Sequence, residues 1–411
     1  MTTPALDSAS DTARSQRTRL LVLTALVALG PLTVDLYLPA FPALQVDLRT
    51  SPAAVQLTLT ATTLGLAMGQ LVAGPLSDTI GRRRPLLVAT AVHVAASVGV
   101  ASAPDITWVL VFRFLQGMGS AGGAVVTMAL VRDLFAGHLF VRAMARLALV
   151  TGLAPVVAPA LGSQLLHLVH WRGLFVCVAA FGLFAFVLAA TALRESLPLA
   201  RRGSGNLRAV ADRYRQVLSD RSFVGVALIG GMMVSGVFAY MTSSSFLLQQ
   251  VYDLGANGYS AVFAANALAF VLGTQIGARL LARLAPRTLL SWTLPLLAGA
   301  GFSVAITDRF GYGLTALVTC TVVFHLAAGA SGPCFGVIGM ARHAGRAGTA
   351  AALLGAANFG LAGVLSPVVG AIGVDSAQPV GVTMGLVGTS AVVVLVLLVR
   401  PGRAEREQMT T

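Results

Sequence analysis

Fifteen residues of this 411-residue chain are acidic, and fourteen of them fall in loops, tails or helix ends. Asp35 alone lies well inside an apolar run, about six residues from its far end near Phe41, or roughly 9 Å at the helical rise. One basic residue is placed similarly: Arg113 lies about eight residues, or roughly 12 Å, from the same end of its own run. Ionisable groups inside such segments are costly and usually functional. Desolvation favours the neutral form of a carboxylate and a nearby arginine favours the charged form. Small changes in hydration or partner distance could therefore move a proton on and off Asp35. A static Asp35–Arg113 pair that fixes helix packing is the alternative.

The elements that must position these groups follow from composition. Hydrophobic residues make up 56% of the chain and charged ones only 10%, against about a quarter charged in a soluble domain. Lipid must be the solvent for much of the chain. A spanning helix needs about 20 apolar residues, and twelve runs qualify, at 20–42, 54–76, 85–103, 106–131, 143–166, 171–193, 222–250, 257–281, 288–306, 310–338, 347–373 and 379–400. The first run follows Arg14, Arg17 and Arg19 like a signal peptide, but its length and the lack of a cleavage site favour an uncleaved span.

All 28 basic residues are arginine and the formal net charge is +13. They punctuate the apolar runs rather than forming one face, which argues against nucleic acid as partner. With the N-terminus in the cytoplasm, 24 arginines fall on the inner side, 3 on the outer side, and Arg113 within a span. That asymmetry is what the positive-inside rule requires of twelve spans with both ends inside. The longest connection, 194–221, carries seven arginines and divides a tail (1–19) and six spans (20–193) from six more (222–400) and a second tail (401–411). This predicts an all-α polytopic membrane protein of two pseudo-symmetric six-helix bundles, a plan suited to a transporter. Repetition between the halves is faint: Gly277–Arg287 occupies the place of Gly74–Arg84 but lacks its acid.

Between the second and third runs the chain reads Gly74-Pro-Leu-Ser-Asp78-Thr-Ile-Gly81-Arg82-Arg83-Arg84, read as a very tight turn. The segment resembles the signature loop of the major facilitator superfamily. Arg113-Phe-Leu-Gln116-Gly117 is similar to the Arg-x-x-Gln-Gly motif of its proton-driven members, and Gly152-Leu-Ala-Pro155-Val-Val-Ala-Pro159-Ala-Leu-Gly162 to the Gly/Pro motif of its drug antiporters. Val34-Asp35-Leu-Tyr37-Leu-Pro39-Ala-Phe-Pro42, with Val131-Arg132-Asp133 and Trp171-Arg172, looks most like the bicyclomycin/chloramphenicol-resistance branch. The resemblance implies proton-coupled drug efflux by alternating access, with Asp35 and Arg113 in proton coupling. It implies a conformational latch of Gly74, Asp78, Gly81, Arg82 and Asp133, and a hinge at Gly152, Pro155, Pro159 and Gly162. Thr79 departs from the basic residue common after the motif's acid.

Tyr37, Gln70, Gln116, Met233, Tyr240, Asn266, Asn358 and Phe359 are polar, aromatic or flexible groups near mid-span, the mixture that suits a drug-like ligand. His93 and His325 read as hydrogen-bonded core imidazoles. Cys177, Cys320 and Cys334 lie in apolar runs without metal-ligand spacing, and no metal or cofactor is expected. The chain has no lysine, so no Gly-x-x-x-x-Gly-Lys loop, and neither His-Glu-x-x-His nor Gly-x-Ser-x-Gly occurs. An enzyme is thereby disfavoured. A carrier of an endogenous metabolite, exporting or importing, is the alternative function. The expected partners are a small amphiphilic substrate, protons and the lipid of the inner membrane, with the protein a monomer.

Overall fold

The computed structural model describes residues 5–203, 207–341, 343, 346–373 and 375–399. The expected tail 401–411, Arg342, Arg400 and the Ser204-Gly205 part of the linker lie outside the described residues. All regular structure among them is helical, and 12 helices are long and apolar enough to cross a bilayer. Leu21, Val88, Phe184, Trp292 and Leu386 are exposed on their flanks, as lipid-facing side chains must be when neither face needs water.

The first half comprises α1 (Ala5–Asp35), a short α2 (Phe41–Asp47), α3 (Pro52–Ile80), α4 (Arg83–Ala101), α5 (Ile106–Leu134), α6 (Gly137–Leu166) and α7 (Trp171–Ala192). A linker helix, α8 (Leu207–Leu218), leads to α9 (Arg221–Phe246), α10 (Gly255–Leu280), α11 (Pro286–Arg309), α12 (Gly313–Ala341), α13 (Ala347–Leu365), α14 (Pro367–Ile372) and α15 (Gln378–Leu398). Within the halves α3 packs on α5 and α10 on α12; between them α3 meets α13 and α6 meets α10. Close approach of backbones explains the small residues. A Cβ on Gly117 would stand 2.1 Å from the Thr62 carbonyl oxygen, and one on Gly329 2.0 Å from that of Phe270. These matching α3–α5 and α10–α12 contacts are the halves' pseudo-symmetry seen in packing.

Three elements differ from the hydropathy reading. The first span breaks at Asp35, where the chain makes a tight turn (Leu38–Ala40) before α2. Pro39 cannot donate to the Asp35 carbonyl and its ring crowds it, so the helix stops there. The expected turn at Gly74–Arg84 is shorter than the motif. Residues 74–80 are the last turns of α3, and only Gly81 and Arg82 separate it from α4. The eleventh span is interrupted at Ser366 before Pro367, giving α13 and α14.

Candidate functional site

Between the halves lies a cavity of about 600 Å³. Gly30, Val34 and Asp35 of α1 and Gly152 and Pro155 of α6 form one wall; Met233, Tyr240, Asn266, His325 and Phe359 contribute to the other. Asp35 is 3% exposed. No hydrogen bond or ion pair reaches its carboxylate from the described residues. Among the described residues it is also the single carboxylate or arginine on the cavity wall. Of the expected pocket residues, Met233, Tyr240, Asn266 and Phe359 are therefore assembled around Asp35.

The others are elsewhere. Arg113 is buried inside the first half and is not paired with Asp35, contrary to the pair inferred from equal depth. Its Nη1 donates to the Thr33 carbonyl (2.9 Å) and to Gln116 Oε1 (2.6 Å), and its guanidinium lies 4.0 Å over the Tyr37 ring. Gln116 passes the chain on to Ser97 Oγ (2.7 Å), and Tyr37 meets Thr58 (3.0 Å). Arg113 and Gln116 thus tie α5 to α1 and α4, Tyr37 ties the turn after α1 to α3, and none of the three lines the cavity. Rise along a helix fixes depth, whereas facing is fixed by rotation about the axis, and that rotation turns Arg113 away. Asn358 packs against Gly230 with Oδ1 buried and unpartnered, off the cavity wall. Gln70 lines a second, more polar cavity of about 650 Å³ beside Asp78, Arg82 and Asp133.

That second cavity lies at the end where the arginine-rich connections gather. There Arg82 Nη1 bonds Asp78 Oδ1 (2.6 Å) and Ser77 Oγ (2.8 Å), while its Nε reaches Asp133 Oδ2 (3.2 Å). Asp78, Arg82 and Asp133 are joined, the grouping that the family resemblance implies. Gly74 is on the same cavity wall. Gly81 has φ +99°, and a Cβ there would stand 2.4 Å from Glu195 Oε2, so only glycine fits. Glu195 escaped the sequence reading. Its carboxylate accepts from the backbone N–H of Arg82 (2.8 Å) and Arg83 (3.2 Å), groups that open α4 and have no helical partner. Partial burial pushes this carboxyl up, but the N–H donors of Leu197, Arg82 and Arg83, with the Arg202 charge, outweigh it and hold it below its ordinary 4.5. Arg83 answers at the C-terminal end of α7, just before Glu195, donating to the carbonyls of Leu193 (2.9 Å) and Ala190 (2.8 Å), where the helix dipole favours a cation.

The opposite end is a seam between the halves. Pro42 has no N–H for the Leu38 carbonyl, and that oxygen accepts from the Phe41 N–H and from Ser245 Oγ of α9 (2.7 Å). Gln249 donates to the Pro39 carbonyl (3.1 Å). From α10, Ser260 Oγ lies 3.1 Å from both the Pro159 carbonyl and Ser163 Oγ of α6, and Asn257 meets Gln164 (3.1 Å). Gly152, Pro155, Pro159 and Gly162 all fall within α6, which stays helical through both prolines. Gly162 is pressed on α1: a Cβ there would stand 1.9 Å from the Leu36 carbonyl. His325 was read as core, and it is buried and bonded through Nδ1 to the Thr321 carbonyl (2.7 Å), yet it also faces the cavity.

Twelve spans in two matching halves with cavities between them describe a membrane transporter rather than an enzyme. A sequence profile of the Major Facilitator Superfamily matches residues 23–367, and the chain belongs to that family. It is 35% identical to the uncharacterized MFS-type transporter YdgK of Bacillus subtilis over 88% of this chain and 90% of that one. It is 27% identical to the bicyclomycin resistance protein homolog of Haemophilus influenzae over 89% and 92% of the two chains. With the multidrug resistance protein MdtL of Salmonella heidelberg it shares 31% identity over 72% and 75%. Among solved structures it matches the nucleoside transporter NupG with a TM-score of 0.74 at 11% identity, covering 94% of this chain and 100% of that one. It matches the human organic anion transporter MFSD10 with a TM-score of 0.67 at 18% identity, covering 92% and 99%.

Proposed function

We propose that the protein is a proton-coupled exporter of small amphipathic, drug-like molecules, working by alternating access as a monomer in the inner membrane. One observation carries this reading: Asp35, alone and unpaired, in an apolar cavity between the halves. A carboxylate so placed can hold either a proton or a cationic or donor-bearing substrate, but not both well. Exclusive occupancy of one acid is the minimum needed for exchange.

The positive-inside rule puts the arginine-rich end and both termini in the cytoplasm. The seam of Ser245, Ser260 and Asn257 is then the closed outer gate, and Asp35 is reached from inside. Rocking of 20–193 against 222–400 about the 194–221 linker breaks that seam and brings the inner ends together. Asp78, Arg82 and Asp133 then act as the inner latch. The carbonyls of Thr151 and Pro155, left without a helical N–H by Pro155 and Pro159, make α6 the bending wall. The names of the bicyclomycin-resistance and MdtL relatives support efflux of foreign compounds over carriage of a metabolite.

The test uses the full chain in proteoliposomes with an imposed pH gradient and ethidium as probe. Wild type should move ethidium against its gradient and lose that on addition of a protonophore. Asp35→Asn should insert and fold but no longer exchange protons for the dye. Gradient-driven exchange by that variant at the wild-type rate would refute the role of Asp35.

A further inference from the structure

The wall facing Asp35 carries chemistry that charge alone does not reveal. The Thr321 carbonyl oxygen 2.7 Å from His325 Nδ1 can only accept. In the neutral ring Nδ1 therefore bears the proton and Nε2 a lone pair. No described residue takes Nε2, and His325 lines the cavity. The ring is held in place edge-on to Tyr240, with centroids 5.0 Å apart. Beside it Asn266, 2% exposed, gives its amide N–H to Tyr240 Oη (2.7 Å) and leaves Oδ1 buried without a partner. A buried acceptor left unsatisfied is uncommon and calls for an explanation.

The Tyr240 hydroxyl, which accepts from Asn266, is also bonded to the Thr321 side chain, and the remaining polar groups on the wall do not compete. Thr151 and Thr274 return their hydroxyls to their own helices, to Leu147 (3.1 Å) and Phe270 (2.9 Å). Gln275 is exposed at the rim. No arginine lines the cavity, since Arg113 faces α1. Among the described residues, the unpartnered polar atoms around this mostly apolar chamber are thus acceptors: the Asp35 carboxylate on one wall, His325 Nε2 and the buried Asn266 Oδ1 on the other.

We propose that His325 and Asn266 form a hydrogen-bond acceptor pole that, with Asp35, selects amphipathic monocations or neutral molecules bearing N–H or O–H donors and rejects anions. The inference rests on the cavity being the substrate site. An apolar body spans the chamber, its cationic or donor end meets Asp35, and further donors satisfy the pole in the second half. Carboxylates, sulfonates and phosphates find no donor or cation there and meet a like charge.

The test compares ethidium, whose two arylamino groups are donors, with its deaminated phenanthridinium analogue, a cation of the same body without them. Binding is measured calorimetrically on the full chain in lipid nanodiscs, with naphthalene sulfonate as the anionic probe. Wild type should bind ethidium about tenfold more tightly than the analogue and should not bind the sulfonate. His325→Phe and Asn266→Leu should each weaken ethidium about fivefold to tenfold and leave the analogue unchanged, which also reports an intact chamber. His325→Gln, which retains an acceptor, should recover most of the loss. Equal wild-type affinity for the two cations, or equal losses for both in the variants, overturns the acceptor pole while leaving proton exchange through Asp35 standing. Sulfonate binding as tight as that of ethidium overturns the charge rule. Absence of saturable binding by either cation overturns the pole and the substrate site together.

Discussion

Ser260→Ala tests whether the seam between α6 and α10 is a gate. Ser260 is buried, and its hydroxyl oxygen stands 3.1 Å from the Pro159 carbonyl and 3.1 Å from Ser163 Oγ, both across the boundary between halves. A net contribution of about 0.5–1.5 kcal/mol per hydrogen bond makes the pair worth about 1–3 kcal/mol. The Pro159 carbonyl keeps its place in the helix, so alanine leaves no orphan and the lower part of that range applies. If this seam is the proposed outer gate, the bonds exist in the closed state only, and their loss should shift the equilibrium between states by about 5- to 30-fold toward opening of this end. Val46 and Val251 are exposed on the two sides of the seam, and nitroxide labels there report its width by double electron resonance. A background without Cys177, Cys320 and Cys334 is required. The long-distance component should grow from a minor to a substantial share. Identical distance distributions in wild type and variant would refute the assignment of these bonds to a state-dependent gate.

Three further outcomes follow from other contacts. Ser163→Cys with Ser260→Cys puts two thiols where the oxygens are 3.1 Å apart, within reach of a disulfide; oxidation should cut transport more than tenfold and reduction restore it, and transport by fully cross-linked protein would exclude a moving seam. Gly162→Ala places a carbon 1.9 Å from the Leu36 carbonyl, about 1.5 Å inside ordinary contact at 3.4 Å; it should cost about 1–3 kcal/mol in detergent unfolding, and unaltered stability would contradict the α1–α6 packing. Glu195→Ala should cost about 0.5–2 kcal/mol by baring the start of α4. Because the folded carboxyl is held below 4.5, its stabilisation is complete above that value and fades as pH falls through the folded one. The gap between wild type and variant should accordingly close in acid, and a gap constant from neutral to strongly acidic pH would remove Glu195 as a charged cap.

What could be read from the chain alone was what depends on local order. Twelve spans follow from length and apolarity, because a bilayer demands that each segment satisfy its own backbone. The isolation of Asp35 follows too, since one acid among apolar neighbours stands out without any knowledge of packing. The grouping of Asp78 with Arg82 and Asp133 came from the resemblance of the 74–84 segment to a family signature, a match of local residue order.

Facing was not legible. Depth along a helix comes from counting residues, but the direction a side chain takes depends on how neighbouring helices rotate it. Hence counting places Arg113 level with Asp35 and leaves a static pair open as an alternative, whereas the packed helices turn it toward Thr33, Gln116 and Tyr37. The same rotation brings His325 to the cavity wall and takes Asn358 off it. Glu195 had no signal at all, because its partners lie 112 and 113 residues away in sequence. Sequence therefore determined which residues are buried and at what height. Tertiary packing decided which of them share a chamber, because contact between helices is a property of pairs of surfaces and not of either segment.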